Sequence, residues 1–115
     1  LGQVAADTLG GMQFSGVGGQ VDFVRGANNS KGGRAIIALP SKAAKGTVSR
    51  IVADLEPGQA VTTGRYDVDI GVTEYGAAHL KWETNQERAK ALISIAAPEF
   101  RDQLRFDYER IYGRL

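Results

Sequence analysis

The spacing of apolar residues changes once along this chain, and that change limits the fold more than any single motif. Before it, the apolar runs are short and alternate. Ala35-Ile36-Ile37-Ala38-Leu39 is ended by Pro40. In Val48–Leu55, Ser49, Ile51, Ala53 and Leu55 alternate with Val48, Arg50, Val52 and Asp54. Val68, Ile70 and Val72 mark one face of a run ending at Thr73. A period of two predicts strands. Leu1–Val4 and Ala60–Thr63 read the same way, and Glu56-Pro57-Gly58-Gln59 carries Pro and Gly where a type II turn needs them. From Thr84 the period becomes helical. Thr84 and Glu87 form a capping box ahead of Ala89, Leu92, Ile93 and Ala96. A second helix opens at Pro98, carries Phe100, Leu104, Tyr108, Ile111 and Tyr112 as its stripe, and stops at Gly113. Several strands followed by two C-terminal helices define a small α+β domain or the trailing half of an open α/β sheet, and periodicity alone does not separate the two.

Glycine is concentrated at the other end. Of 15 glycines, 8 lie between Gly10 and Gly33, which predicts a loop-rich first third. Length and charge bound the rest. At 115 residues one domain is expected. With 14 Lys and Arg against 13 Asp and Glu, the net charge of +1 gives no field that selects nucleic acid or an anionic membrane. No apolar stretch approaches the roughly 20 residues of a bilayer span, and no charged segment precedes an apolar run at the N-terminus. The absence of cysteine excludes disulfides, thiolate nucleophiles and Cys-ligated metal, and fits a reducing cytoplasm. The chain opens abruptly in a strand-like segment and closes in a charged helix, the pattern expected of a C-terminal piece; a trimmed natural N-terminus is the alternative.

Two kinds of motif carry chemistry. Ser15-Gly16-Val17-Gly18-Gly19-Gln20 lets the backbone N–H groups of Gly18 and Gly19 approach a ligand without side-chain obstruction, and such donors suit an oxyanion or a phosphate. It is neither a GxGxxG nor a P-loop, and a tight turn at a sheet edge is the plainer reading. Lys31 and Arg34 precede the Ala35 strand and Lys45 follows it, so three cations could converge near one end of a sheet to meet phosphates. Solvated surface cations are the plainer reading there.

In order along the chain, Gly2-Gln3-Val4, Ser15 to Phe23 with Arg25-Gly26-Ala27, Ser30-Lys31-Gly32-Gly33, Ile37-Ala38-Leu39-Pro40-Ser41, Gly46 to Val52, Val72-Thr73-Glu74-Tyr75-Gly76, Glu87-Arg88-Ala89 and Ala91-Leu92-Ile93 together resemble the C-terminal domain of the acetyl-CoA hydrolase and CoA-transferase family. That group includes 4-hydroxybutyrate and acetate CoA-transferases. The resemblance implies a mixed open α/β sheet of the NagB/RpiA/CoA-transferase type with two C-terminal helices, the whole of 1–115 being one C-terminal domain. It implies a ping-pong reaction in which a glutamate takes the acyl group, becomes a glutamyl-CoA thioester and passes CoA to a second carboxylate. Water in place of that acceptor gives hydrolysis. The glutamate is expected upstream of the segment matched here, so the chain alone should be inactive.

Carried over residue by residue, the resemblance gives Gly19, with Gly18, contacts to the thioester oxyanion. Ser15 and Gln20 line the same loop, Lys45 contacts CoA, and Lys31 and Arg34 assist. No metal and no permanent cofactor are implied; CoA and acyl-CoA are substrates. The partners are a carboxylate, the N-terminal half of the enzyme, and further copies of the same chain. Two departures stand out: Lys81-Trp82-Glu83 where relatives commonly carry Gly-Lys, and Ala97-Pro98 where they often carry a histidine.

Other residues are expected to be structural. Glu74 tempts as a nucleophile at a strand end, but it suits better a hydrogen bond to a loop or helix N-terminus. His79 is the only histidine, and Asp67 and Asp69 share a strand face with no further ligand near in sequence. A non-catalytic binding or assembly module of the same fold, and an unrelated small phosphate-binding domain, are the competing readings.

Overall fold

The computed structural model describes residues 1–115. Near the start, β1 (Thr8–Leu9) pairs antiparallel with β2 (Met12–Gln13), and a glycine-rich loop runs from there into α1 (Gln20–Asn29). Next come β3 (Ile36–Ala38), the ribbon of β4 (Lys42–Ala43) with β5 (Val48–Ser49), and the hairpin of β6 (Ile70–Thr73) with β7 (Gly76–His79). The chain closes with α2 (Asn85–Ile95), a short 3-10 turn at Pro98–Phe100, and α3 (Arg101–Tyr112).

The β6 strand is central because both of its edges and its inner face find partners. β3 lies parallel to it in the register Ile36–Ile70, and β7 antiparallel in the register Ile70–His79. The result is a mixed, open sheet of order β3-β6-β7. Val68 and Ile70 are buried as the alternation predicts, while Val72 is only half-buried. The core joins this sheet to the helices: Val68, Ala78, Leu80, Ile93, Ile95, Ala96 and Leu104 pack together with Ile51. Leu80 is the largest side chain to be fully enclosed. Burying such a side chain contributes about 2 kcal/mol.

Polar groups stitch the layers. Thr73 Oγ1 donates to Ile95 O at 2.6 Å, tying the end of β6 to an otherwise unpaired carbonyl in the last turn of α2. The capping box forms as read: Glu87 N–H donates to Thr84 Oγ1, and Thr84 N–H to the Glu87 carboxylate. The Pro57-Gly58 turn closes with Gln59 N–H on Glu56 O at 3.0 Å.

Several expectations are corrected. The glycine-rich third is not all loop, because α1 occupies residues 20–29. Val21, Val24, Ala27 and Asn28 form its inward stripe, all at least half-buried and Val24 fully so. There are therefore three α-helices, with the two predicted ones at the C-terminus. The Val48–Leu55 run pairs only at Val48–Ser49; beyond it Ile51 alone is buried and no neighbouring strand is present. Leu1–Val4 and Ala60–Thr63 form a single antiparallel bridge, Val4 to Thr63, rather than strands. At the two departures from the family pattern, Trp82 is almost fully exposed with φ of +72°, and Ala97 is buried ahead of the 3-10 turn.

Candidate functional site

The glycine motif ends at the N-terminus of α1, which is the feature that gives it chemical meaning. Gly19 is the N-cap and, being glycine, offers no side chain to the first turn. The N–H groups of Gly18 and Gly19 make no hydrogen bond within the chain. Gly18 sits at φ of +59°, a conformation a side chain disfavours. Unpaired N–H groups at the positive end of a helix, reached over bare glycine backbone, are suited to bind developing or full negative charge.

Both ends of the Ser15–Gly19 loop are anchored. At its start, Gln13 Nε2 donates to Asp7 Oδ2 at 2.6 Å and also to Ser15 O, while Phe14 N–H donates to Asp7 O at 3.1 Å. Asp7 is buried and accepts a further bond from Thr62 Oγ1. The Thr62 hydroxyl and the Gln13 amide hold its carboxyl below the usual aspartate range. At the far end, Thr63 Oγ1 donates to Gln20 Oε1 at 2.7 Å. Gln20 is thus committed through its carbonyl to the protein, while its amide makes no hydrogen bond within the chain. Ser15 Oγ makes only a local bond, to Gly16 O at 3.0 Å.

The rest of α1 is held by charge. Arg25 Nε and Nη2 grip the Asp67 carboxylate at 3.0 and 3.2 Å, and Asn28 Nδ2 donates to Asp67 O at 2.8 Å. Arg25 holds the Asp67 carboxyl below its usual value. Asp67 is therefore paired with a helix cation rather than with Asp69, whose carbonyl accepts from Leu80 N–H.

A second group of residues lies beyond the C-terminal end of β3. Lys45 sits on the turn between β4 and β5, exposed, with φ of 55° and ψ of 36°, next to Ala44 at φ of 50°. Two successive left-handed residues push the Lys45 side chain out of the ribbon. The turn is fastened by Thr47 Oγ1 and N–H to Ala44 O, by the Lys42–Glu99 ion pair at 2.6 Å, and by Glu74. The Glu74 carboxylate accepts Ser41 N–H at 2.8 Å. Ser41 Oγ is enclosed with no fully formed hydrogen bond, yet lies against the same carboxylate, and with the N–H it draws the Glu74 carboxyl below its usual value. The expected loop-holding role of Glu74 is met by this geometry.

Lys31 and Arg34 are exposed and precede β3, whereas Lys45 follows it. The strand separates the two groups, so the three cations do not gather at one end of the sheet. The exposed His79 takes part in the β6–β7 ladder and in no side-chain bond. A groove of about 410 Å³ runs between α3 and residues 47–54 and includes no residue of the glycine motif. Its lining mixes Val48, Ile51, Val52, Phe100, Leu104 and Ile111 with Asp54, Gln103, Asp107 and Arg110, and the unpaired backbone donors of Gly18 and Gly19 lie elsewhere, at the start of α1.

Sequence reasoning missed α1, Asp7, Thr62 and Thr63. The helix had a signal, the spacing of Val21, Val24 and Ala27, hidden by the density of glycine around it. The threonines had none, since Val61-Thr62-Thr63 reads as any short strand.

Residues 1–108 match the model of the acetyl-CoA hydrolase/transferase C-terminal domain. Over 110 residues the chain is 59% identical to the 4-hydroxybutyrate coenzyme A transferase of Clostridium kluyveri, covering 96% of this chain and 26% of that protein. It is 53% identical to the succinyl-CoA:cyclohexane-1-carboxylate CoA transferase of Geobacter metallireducens, covering 90% and 24%. The acetyl-CoA hydrolase of Candida albicans is more distant, at 32% identity over 92% of this chain and 20% of that one. Among solved structures, RipA from Yersinia pestis superimposes with a TM-score of 0.78 at 52% identity, covering 84% of this chain and 22% of RipA. The chain belongs to the acetyl-CoA hydrolase/transferase family and matches its C-terminal domain. It spans about a quarter of the length of these transferase relatives.

Proposed function

We propose that residues 1–115 are the C-terminal domain of a CoA-transferase that moves CoA between an acyl-CoA and a short-chain carboxylate. The reaction passes through a glutamyl-CoA thioester whose glutamate lies in polypeptide outside this chain. The observation that carries the reading is the free N–H pair of Gly18 and Gly19 at the uncapped start of α1, within a family of this activity. Donors fixed in place before the reaction stabilise the oxyanion without reorganising, and removal of one typically costs about a hundredfold or more in rate. Ser15 and Gln20 line the loop. Lys45 meets the phosphates of CoA, and Lys31, set apart before β3, has at most a distant part in that attraction. CoA and acyl-CoA are substrates, and the reading requires no resident cofactor.

The polypeptide that this reading places outside the chain has a surface to dock on. Leu9, Met12, Phe14, Val17 and Phe23 are all exposed along the segment that carries the glycine motif, and β3 leaves one edge unpaired with Ile36 exposed. Apolar surface of this extent on one short segment is suited to burial against another part of the protein. The reading gives that cover to the N-terminal half of the same enzyme, extends the sheet in the NagB/RpiA-like manner, and assembles the whole as a homo-oligomer. No helix is long and apolar enough to cross a membrane, and the reducing cytoplasm is the compartment the reading carries. Hydrolysis is the second reading, favoured by the 32% relationship to an acetyl-CoA hydrolase; a binding module without catalysis is the third.

The test uses the full-length protein that carries this chain, assayed for CoA transfer to short-chain carboxylates and for hydrolysis. Gly19→Val keeps an accessible backbone conformation at φ of −96° but obstructs the N–H groups, and should reduce kcat/KM about a hundredfold or more. Unchanged turnover in that variant removes the oxyanion role from Gly19. Hydrolysis without transfer selects the second reading, and binding of CoA without either reaction selects the third.

A further inference from the structure

The two anchors of the glycine loop start from neighbouring residues. Thr62 and Thr63 are 7% and 0% exposed, and their backbones pair with Val4: Thr62 N–H donates to Val4 O at 2.7 Å, and Val4 N–H donates to Thr63 O at 2.9 Å. Their hydroxyls diverge. Thr62 Oγ1 accepts Ala6 N–H at 2.8 Å and donates to Asp7, whose carboxylate takes one Gln13 amide proton while the other goes to Ser15 O. Thr63 Oγ1 donates to Gln20, the first residue of α1. One buried dipeptide thereby grips both ends of a loop whose other bonds are local, from Ser15 Oγ to Gly16 O and from Phe23 N–H to Gly19 O in the first turn of α1.

This grip matters because little else fixes the loop. Phe14, Val17 and Phe23 point into solvent, and Val24 is the one fully buried side chain of α1. The Arg25–Asp67 pair and the Asn28 bond orient the body of the helix, leaving its N-terminus to Gln20 and the threonines. We propose that Thr62 and Thr63 are positioning residues, which set where the Gly18 and Gly19 N–H groups stand by clamping the loop at Ser15 and at Gln20. The inference rests on the oxyanion role proposed for Gly19. It assigns a function to residues that touch no substrate.

The experiment is made in the full-length protein with Thr63→Val, which keeps shape and burial but removes the hydroxyl, and with Thr63→Ser, which restores it. Gln13→Ala releases the other end from an exposed position and does not threaten folding. Hydrogen exchange over residues 15–23 reads the clamp itself, through the Phe23 N–H bond to Gly19 O at 3.0 Å that closes the first turn. Steady-state kinetics read its consequence. Thr63→Val and Gln13→Ala are expected to speed exchange in this segment and to lower kcat about ten- to a hundredfold with KM for acyl-CoA little changed, and Thr63→Ser to recover both. Unaltered exchange in both variants overturns the clamp. Faster exchange with unaltered kcat overturns the positioning role, provided Gly19→Val is impaired. If Gly19→Val is itself fully active, the oxyanion reading has failed instead, and exchange alone then decides whether the clamp exists.

Discussion

Ser41 N–H donates to the carboxylate of Glu74 at 2.8 Å, joining the segment after β3 to the turn after β6. The two strands are parallel neighbours, so this bond ties together the two chain segments leaving one end of the sheet. The same segment continues into Lys42, whose ammonium meets Glu99, and into the left-handed turn at Lys45. A carboxylate that sequence alone offers as a nucleophile is thereby occupied in shaping a loop.

The Glu74 bond predicts an acid-sensitive turn. The Ser41 hydroxyl and N–H lower the Glu74 carboxyl from its ordinary value of 4.5, so ionised Glu74 favours the folded state. That contribution is present above the ordinary value and fades as pH falls below it through the lowered folded value. Glu74→Gln should therefore melt at a lower temperature than the parent at neutral pH, with the gap closing in acid. Thermal unfolding of both proteins across a pH series checks this, and a gap independent of pH counts against it.

Lys45 allows its charge to be separated from its backbone. At φ of 55° a lysine carries a left-handed penalty of about 1 kcal/mol that glycine escapes. Lys45→Gly should leave folding stability unchanged or slightly higher while weakening CoA binding. Lys45→Ala should weaken binding equally without the backbone relief. Calorimetric titration of the full-length variants with CoA, beside their melting curves, makes the comparison; unchanged affinity in both removes Lys45 from the site.

Gly33 answers to space. A Cβ there would stand 2.1 Å from Ala27 O and from Ser30 Oγ, since the chain folds back under the end of α1 with Gly33 N–H on Ser30 O at 3.0 Å. The Ser30 side chain can turn aside, but the carbonyl belongs to the helix backbone. Gly33→Ala should cost about 1–3 kcal/mol, seen in denaturant melts as a lower midpoint. It should also speed exchange in α1 more than in α2.

Much of the architecture was legible because it depends on local patterns. The Thr84–Glu87 box, the stripe of α2 and the Gly113 stop all rest on residues within a few positions of one another, and each is present, while Pro98 opens a 3-10 turn that leads into α3 at Arg101. The strands were legible only where a partner existed. Val68–Thr73 alternates and its Ile70–Thr73 part lies between two strands, whereas Val48–Leu55 alternates equally well and leaves its ladder after Ser49, because no strand lies beside it. The motif at Gly18 and Gly19 stood out through composition, yet its placement on a helix N-terminus was masked by that same composition. Thr62 reaches Asp7 across 55 residues of sequence and Thr63 reaches Gln20 across 43, and no local pattern announces such bonds.

The exposed side chains predict how the chain behaves alone. With Leu9, Met12, Phe14, Val17 and Phe23 uncovered and the β3 edge open, the isolated 115 residues should self-associate as concentration rises. Sedimentation velocity over a concentration series tests this, and a monomer throughout contradicts it. Adding the N-terminal portion as a separate chain should suppress the self-association.

The central claim is that these residues supply the oxyanion and CoA contacts while the nucleophile lies elsewhere. Peptide mapping of the full-length protein after exposure to an acyl-CoA, with the glutamyl-CoA thioester trapped by reduction, tests it most directly. The account predicts a modified glutamate in the polypeptide outside these 115 residues and an unmodified Glu74. Modification at Glu74, or turnover of acyl-CoA by the 115-residue chain alone, would contradict it.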